Sequence, residues 1–334
     1  MFMKYLGHLA RSDPFYDYLR YTILPQLGIN GAKPDFKVYK IDASKHVYLY
    51  RDRRSNARVI GKFYGGIFGQ RQRSALRRME REFNNLNHMR SLGFDGYPHH
   101  IPKPLGRNAE LNCVLVEEFC NGTALDIVIR KAIQEGMEEI LFKKLTALAY
   151  FLASLHMRTV ADGGLDFNPE CSYFDLIVHQ LRYREYIDGS EAQELYDLMV
   201  RWKDKGFMRE DRPVLVHGDV TPPNILFGDE LCVIAVDLER MKLADRAFDL
   251  GRLTGEIKHF FMQYAGSKDL AEPYIGHFLW EYAGHFQDQS SIFASVTRRL
   301  PFYMGLNLMR IARNPWFDSG YRCRLIQEAK LTLR

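Results

Sequence analysis

In the stretch VLVHGDVTPPNILFGDELCVIAVDLE (Val214–Glu239), His217, Asp219 and Asn224 interrupt an otherwise apolar run, and Asp237 stands near its end. Buried strands seldom carry such groups without partners. NILF and LCVIAV flank GDE, whose Gly-Asp pair is turn chemistry, so the two runs read as a β-hairpin entered from the strand PVLV. A hairpin brings the outer ends of its strands together. Asn224 begins the first strand, Asp237 ends the second, and Asp219 lies five residues before Asn224 on the entering loop. Hard oxygen donors of this kind suit Mg²⁺, which takes one or two carboxylates together with phosphate oxygens and water. A polar hairpin end with only capping roles is the plainer reading, and a lone H-x-D would leave it standing.

The spacing H-x-D-x-x-x-x-N, with an Asp on the next strand, matches the catalytic loop of kinases. HGDVTPPNIL followed by VDLERMKLADRAFDLGRL resembles the aminoglycoside phosphotransferase and choline kinase superfamily, as do, more weakly, LVEEFCNGTAL and LASLHMRT. The resemblance spans about residues 35–255. It implies an α+β, protein-kinase-like fold of two lobes and an ATP- or GTP-dependent, Mg²⁺-dependent transfer of phosphate to a small-molecule hydroxyl. It further implies Asp219 as the base that orients the hydroxyl, Asn224 and Asp237 as metal ligands, Lys62 in VIGKFY as the contact to the nucleotide α- and β-phosphates, and Glu118 at the hinge. His217 and Asp249 are implied as supports of the loop. His156 reads as a structural histidine at a helix end.

Lys62 needs a carboxylate partner on the following helix, and Glu80 and Glu82 are both available. At 100° per residue Glu82 falls nearer the centre of the apolar stripe Leu76, Met79, Phe83, Leu86. It also fits the family wording R-E-x-x-x-L in REFNNL.

Two features depart from the kinase pattern. The turn between the first two strands is DASK, with no glycine, and glycines appear instead in GGIFG after Lys62. Asp237 is followed by Leu-Glu, and Asp249 comes only twelve positions later, with no room for a protein-kinase activation segment. A small-molecule acceptor is therefore expected over a protein. The absent glycine-rich loop motivates the rival reading, a weak or inactive nucleotide-binding module that acts through a partner or an anionic surface.

The elements that must position these groups follow from periodicity. FKVYKI, HVYLYRD and RVIGKFYG read as strands and RSALRRMEREFNNLNHMRSLG as a helix ended by Gly93. NCVLVEEF is a further strand, and helical patterns dominate beyond about Ala124. The expected division is a helical extension over 1–34, a nucleotide-binding lobe over 35–118 and a catalytic and acceptor-binding lobe over 119–334, with a cleft at the EEFCNG junction. The extension is expected to pack on the body; a contact in a homodimer is its alternative use.

The 334 residues carry a formal net charge of only +5, so the chain as a whole is no polybasic binder, and nucleic acid is not expected as a partner. The charge is uneven. Ser295–Arg334 holds eight Lys/Arg against two Asp/Glu, and Arg51–Arg81 ten against two. Solvated faces are the plain reading, and contact with an anionic ligand, lipid or nucleic acid is the sharper one; the basic C-terminal helices also motivate a neutral or anionic acceptor, such as a sugar, nucleoside or phosphorylated metabolite, over a polycationic aminoglycoside. The five cysteines are scattered, which argues against a disulfide framework or a zinc site. Neither a signal peptide nor a membrane span is read in the sequence, and a cytoplasmic location is expected.

Overall fold

The structure, a computed structural model, describes residues 3–31, 33–41, 46–65, 72–229 and 231–334. The DASK turn and all of GGIFG but its first glycine lie outside them. In chain order the regular elements begin with β1 (Met3–His8), α1 (Pro14–Tyr18), β2 (Phe36–Ile41), β3 (Val47–Asp52), β4 (Arg58–Phe63) and α2 (Gln72–Ser91). Then come β5 (Asp95–Gly96), β6 (His99–His100), β7 (Pro104–Asn108), β8 (Val114–Glu118) and β9 (Thr123–Ala124). The helices α3 (Leu125–Glu135), α4 (Glu138–Arg158), α5 (Asn168–Tyr183) and α6 (Gly189–Lys203) follow. Four short strands come next: β10 (Val214–Val216), β11 (Ile225–Phe227), β12 (Val233–Ala235) and β13 (Lys242–Ala244). The chain finishes with α7 (Ala247–Tyr264), α8 (Glu272–Gly284), α9 (Gln289–Ala312) and α10 (Ser319–Leu333).

The chain divides into two compact units, Met1–Ala124 with Pro223–Arg240, and Leu125–Pro222 with Met241–Arg334. The first boundary falls just after β9 because Thr123 and Ala124 pair with Phe227 and Leu226 of β11. The hairpin β11–β12, in a second sheet of order β5-β6-β12-β11-β9, is thereby counted with the first unit rather than with the helices that surround it in sequence.

In the first unit, β1-β2-β3-β4-β8-β7 form one antiparallel sheet. Residues 3–8 are a strand, where the apolar spacing predicts helix. Met3 to Tyr5 pair with Ile41 to Tyr39, and after a register shift between Tyr5 and Gly7 (φ 127°) Gly7 and His8 pair with Val38 and Lys37. Strand pairing with the edge of β2 overrides a weak local pattern. The helical part of the segment begins at Pro14, capped by Asp13, whose carboxylate accepts the Phe15 N–H at 2.9 Å. Phe15, Tyr16, Leu19, Ile23 and Leu24 bury themselves on one face of the sheet, against Phe36, Tyr50, Val59, Val114 and Val116. The opposite face carries Ile41, Leu49 and Ile60, with Phe119 packed beside them. Strand alternation places Lys62 on that second face with Ile60.

The second unit is helical around a continuous apolar core drawn from α5, α6, α7, α9 and α10, with β10 paired to β13. The helical region breaks between α5 and α6, and α6 is opened by a reciprocal capping box of Asp188 and Glu191. The helix α4 is long and apolar enough, by length and composition, to cross a membrane; its face from Leu141 to His156 is largely buried in protein. Helices α7 and α9 approach closely. A Cβ on Gly251 would stand 2.3 Å from Cβ of Tyr303, and one on Gly255 would stand 2.9 Å from Nδ2 of Asn307.

Candidate active site

Within the first unit, Lys62 on β4 stands opposite Leu115 of β8, and Ile60 opposite Glu117. The same-face rule then sets Glu117 diagonally across from Lys62. On α2 the buried residues are Ala75, Met79, Glu82, Leu86 and Met89, so Glu82 is the one carboxylate in an otherwise apolar helix face. Lys62 Nζ donates to Glu82 Oε1 at 2.6 Å and lies 2.9 Å from Glu117 Oε1. Glu80, the other helix candidate, points elsewhere and pairs with Arg107 at 3.0 Å on the surface. The Tyr64 hydroxyl donates to the second oxygen of Glu82.

Burial alone would lower the Lys62 pKa, but Glu117, Glu82 and Asp237 hold it well above the ordinary lysine value. Burial raises Glu117 to about 7, against the pull of Lys62. Its Oε2 is buried and has no hydrogen-bond partner among the described residues.

The hairpin supplies the remaining acids. Ile225 pairs with Ala235, and the Val236 N–H donates to the Asn224 carbonyl at 3.0 Å. This register puts Asn224 and Asp237 at the open end of the hairpin. Asp237 adopts φ 65°, a left-handed conformation that costs energy for a residue with a Cβ and that gathers at functional sites. Two bonds tie α2 to the segment after it: Asn85 Nδ2 donates to the Leu238 carbonyl at 2.7 Å, and Arg78 Nη2 to Glu239 at 3.0 Å. Glu82, Asp237 and Glu239 each offer a carboxylate oxygen, all within 4.8 Å of one another. An oxygen-only donor set of this kind fits Mg²⁺.

Within the second unit, Asp249 is fully buried at the start of α7 and accepts the backbone N–H of His217 at 2.7 Å and of Gly218 at 2.9 Å. Burial would raise its carboxyl, but His156, His217 and the Gly218 N–H hold it below the usual carboxylate range. His156 lies 3.5 Å from Asp249 through Nε2 and 2.9 Å from the Tyr282 hydroxyl through Nδ1, and burial pushes its pKa down. Asp249 therefore clamps the loop that carries Asp219, helped by Gly218 at φ 80°. The Asp219 N–H donates to His217 Nδ1 at 3.3 Å, and Asp219 Oδ1 accepts from Arg252 Nη1 at 2.5 Å.

Of the residues singled out by sequence, Lys62, Glu82 and Asp237 come together in the first unit, with Asn224 at the same hairpin end. His217, Asp219 and Asp249 come together in the second. Glu118 does not reach Lys62: its carboxylate takes His100 Nε2 at 3.2 Å and the Lys103 N–H at 3.0 Å, while its neighbour Glu117 makes the Lys62 contact. Sequence reasoning missed Glu117, Tyr64, Glu239 and Arg252. Parity along VLVEE could separate Glu117 from Glu118 only once the pairing of β8 with β4 is known. Glu239 stands in the D-x-E wording, but nothing local links it to Glu82.

The basic excess in 295–334 is largely neutralised inside the protein. Arg299 bonds Asp245 and Asp211, Arg310 bonds Glu256, Arg298 bonds Glu210, and Lys330 bonds Glu191 and Glu194. Arg322 bonds the carbonyls of Ala312, Asn314 and Phe317. The count of basic residues in that segment therefore says little about the acceptor.

A family profile described as the phosphotransferase enzyme family matches residues 35–283. No sequence among curated proteins matches the chain. Among solved structures, an ethanolamine kinase of Plasmodium vivax superposes with a TM-score of 0.59 at 16% identity, over 96% of this chain and 89% of that one. A choline kinase of Cryptosporidium parvum gives 0.61 at 12% identity over 95% and 94%, and a type I macrolide 2′-phosphotransferase 0.56 at 15% over 98% and 99%. The fold of this chain is that of these small-molecule kinases, a protein-kinase-like fold with an antiparallel sheet followed by a mainly helical part.

Proposed function

The chain belongs to the phosphotransferase enzyme family, and we propose that it moves the γ-phosphoryl group of ATP or GTP to a hydroxyl of a small molecule. The observation that carries this reading is Lys62, buried and held between Glu82 and Glu117 on one face of the sheet, with Asp237 and Glu239 gathered at the adjoining hairpin end. A lysine fixed by two carboxylates presents its charge at one position, which suits nucleotide phosphates.

In this reading Asn224 and Asp237 hold Mg²⁺, with Glu239 and Glu82 beside them; the ion supplies charge neutralisation at the phosphates. Lys62 contacts the phosphate chain. Asp219 accepts the proton of the acceptor hydroxyl as its oxygen bonds to the γ-phosphorus; the bond from phosphorus to the β,γ-bridging oxygen breaks, and the nucleoside diphosphate leaves. Asp249 and His156 keep the loop around Asp219 in place.

A screen of hydroxyl-bearing metabolites for nucleotide consumption, with direct detection of the phosphorylated product, tests this reading. Transfer that requires a divalent cation and is lost on Asp219→Asn supports it. ATP and GTP left intact with every acceptor and with water would overturn it.

A further inference from the structure

Arg252 is the unusual group beside Asp219. Its side chain is only 5% exposed, yet among the described residues it makes one hydrogen bond, from Nη1 to Asp219 Oδ1 at 2.5 Å. Its Nε and Nη2 donate to no described residue, and neither is among the fully buried polar atoms left without a partner, so both stay open to solvent or a ligand. The guanidinium lies over the Phe248 ring, 5.1 Å from the centroid. Arg310, one turn of α9 beyond Asn307, lies nearby with its own charge paired to Glu256 through Nη2 at 2.5 Å. Asn307 joins the two, donating through Nδ2 to the Arg252 carbonyl at 3.0 Å and accepting from Arg310 Nε at 2.8 Å. Burial, and next the charge of Arg310, push the Arg252 pKa down. The close crossing at Gly251 and Gly255 brings α7 and α9 near enough for this arrangement.

A guanidinium carries five donors, and those the protein does not use can bond a ligand. One with donors to spare suits a planar or tetrahedral oxyanion held by a two-pronged contact. The guanidinium is bonded to one oxygen of the Asp219 carboxylate, so an oxyanion held by it would sit close to that residue.

We propose that Arg252 selects an acceptor bearing an anionic oxygen group, phosphate or carboxylate, close to the hydroxyl that receives the phosphoryl group. This rests on the phosphotransferase reading and adds the substrate class. It sets the chain apart from its structural neighbours named for choline and ethanolamine, which are cations.

Matched acceptor pairs test it: ribose and ribose 5-phosphate, glycerol and glycerate, glycerol and glycerol 3-phosphate, with choline and kanamycin as cations. Steady-state kcat and KM are measured by product formation with wild type, Arg252→Ala and Arg252→Lys. Wild type is expected to prefer an anionic member by about tenfold or more in kcat/KM, the scale of a charge-assisted hydrogen bond. Arg252→Ala should collapse the anionic-to-neutral ratio toward one, mainly through KM. Arg252→Lys, which keeps the charge without the fork, should restore part of it and guards against a folding defect in the alanine variant.

Preference for choline or kanamycin, or transfer to neutral members or water with none to the anionic ones, overturns the substrate class and leaves the phosphotransferase reading intact. Equal loss of kcat for every acceptor in Arg252→Ala overturns it too, and would put Arg252 on the transferred phosphoryl group. No nucleotide turnover under any condition overturns both readings.

Discussion

Lys62 Nζ lies 2.9 Å from Glu117 Oε1, so a lysine that already has a helix partner in Glu82 carries a second buried carboxylate from the neighbouring strand. Removing either partner of such a buried set is expected to cost more than the set contributes as a whole.

Glu117 makes stability depend on pH in a defined direction. Its folded pKa, about 7, stands above the ordinary 4.5, so the folded protein holds this proton more tightly than the unfolded chain. Its contribution is complete below pH 4.5 and is lost as pH rises through 7. Urea unfolding at pH 5 and pH 8 should show wild type losing stability relative to Glu117→Gln as pH rises. A difference that is flat with pH, or grows toward acid, would contradict this.

Glu82 and Glu80 lie two positions apart and should differ sharply. Glu82→Gln removes the short bond to Lys62 and should lower kcat/KM for nucleotide by about tenfold or more. Glu80→Gln loses only a surface pair with Arg107, worth about 0–1 kcal/mol, and should leave kcat/KM and melting temperature nearly unchanged. The reverse ranking would place the working carboxylate on the wrong face of α2.

Asp249 supports the loop through two backbone N–H groups. Asp249→Asn leaves one of these buried donors without an acceptor and should destabilise by about 1–3 kcal/mol. Because the folded carboxyl sits below its ordinary pKa, the contribution is present above pH 4 and is lost as pH falls through the folded value. Melting curves should therefore show the gap between wild type and variant at pH 7 narrowing in strong acid.

The crossing of α7 and α9 can be tested with two glycines. Gly251→Ala forces a Cβ to 2.3 Å from the Tyr303 Cβ and should destabilise by about 1–3 kcal/mol or more. Gly276→Ala on α8 meets nothing within 4 Å and should stabilise by about 0.5–1 kcal/mol. Thermal unfolding of both variants reads the contrast.

Local patterns carried much of this architecture. The alternation in FKVYKI and RVIGKFYG and the stripe through α2 were legible because each is a short-range period of apolar residues, and the stripe singled out Glu82 over Glu80. What stayed hidden depends on pairing between distant segments. Residues 3–8 are a strand only because β2 offers an edge. Glu117 rather than Glu118 meets Lys62 because of the β4–β8 register. Arg252 meets Asp219 across 33 positions of sequence, and several basic residues of the last forty, such as Arg299, Arg310 and Lys330, are paired with acids from elsewhere in the chain.

The most direct test of the proposed roles compares Asp219→Asn with Asp237→Asn, using calorimetry with Mg²⁺ and ATP alongside transfer to the best acceptor found. Asp219 is assigned to the acceptor hydroxyl and Asp237 to the metal. Asp219→Asn should bind Mg²⁺-ATP within a few-fold of wild type while transfer falls by about 10²-fold or more, the scale of losing a general base. Asp237→Asn should lose metal-dependent nucleotide binding as well as transfer. Transfer that survives in Asp219→Asn would contradict the account.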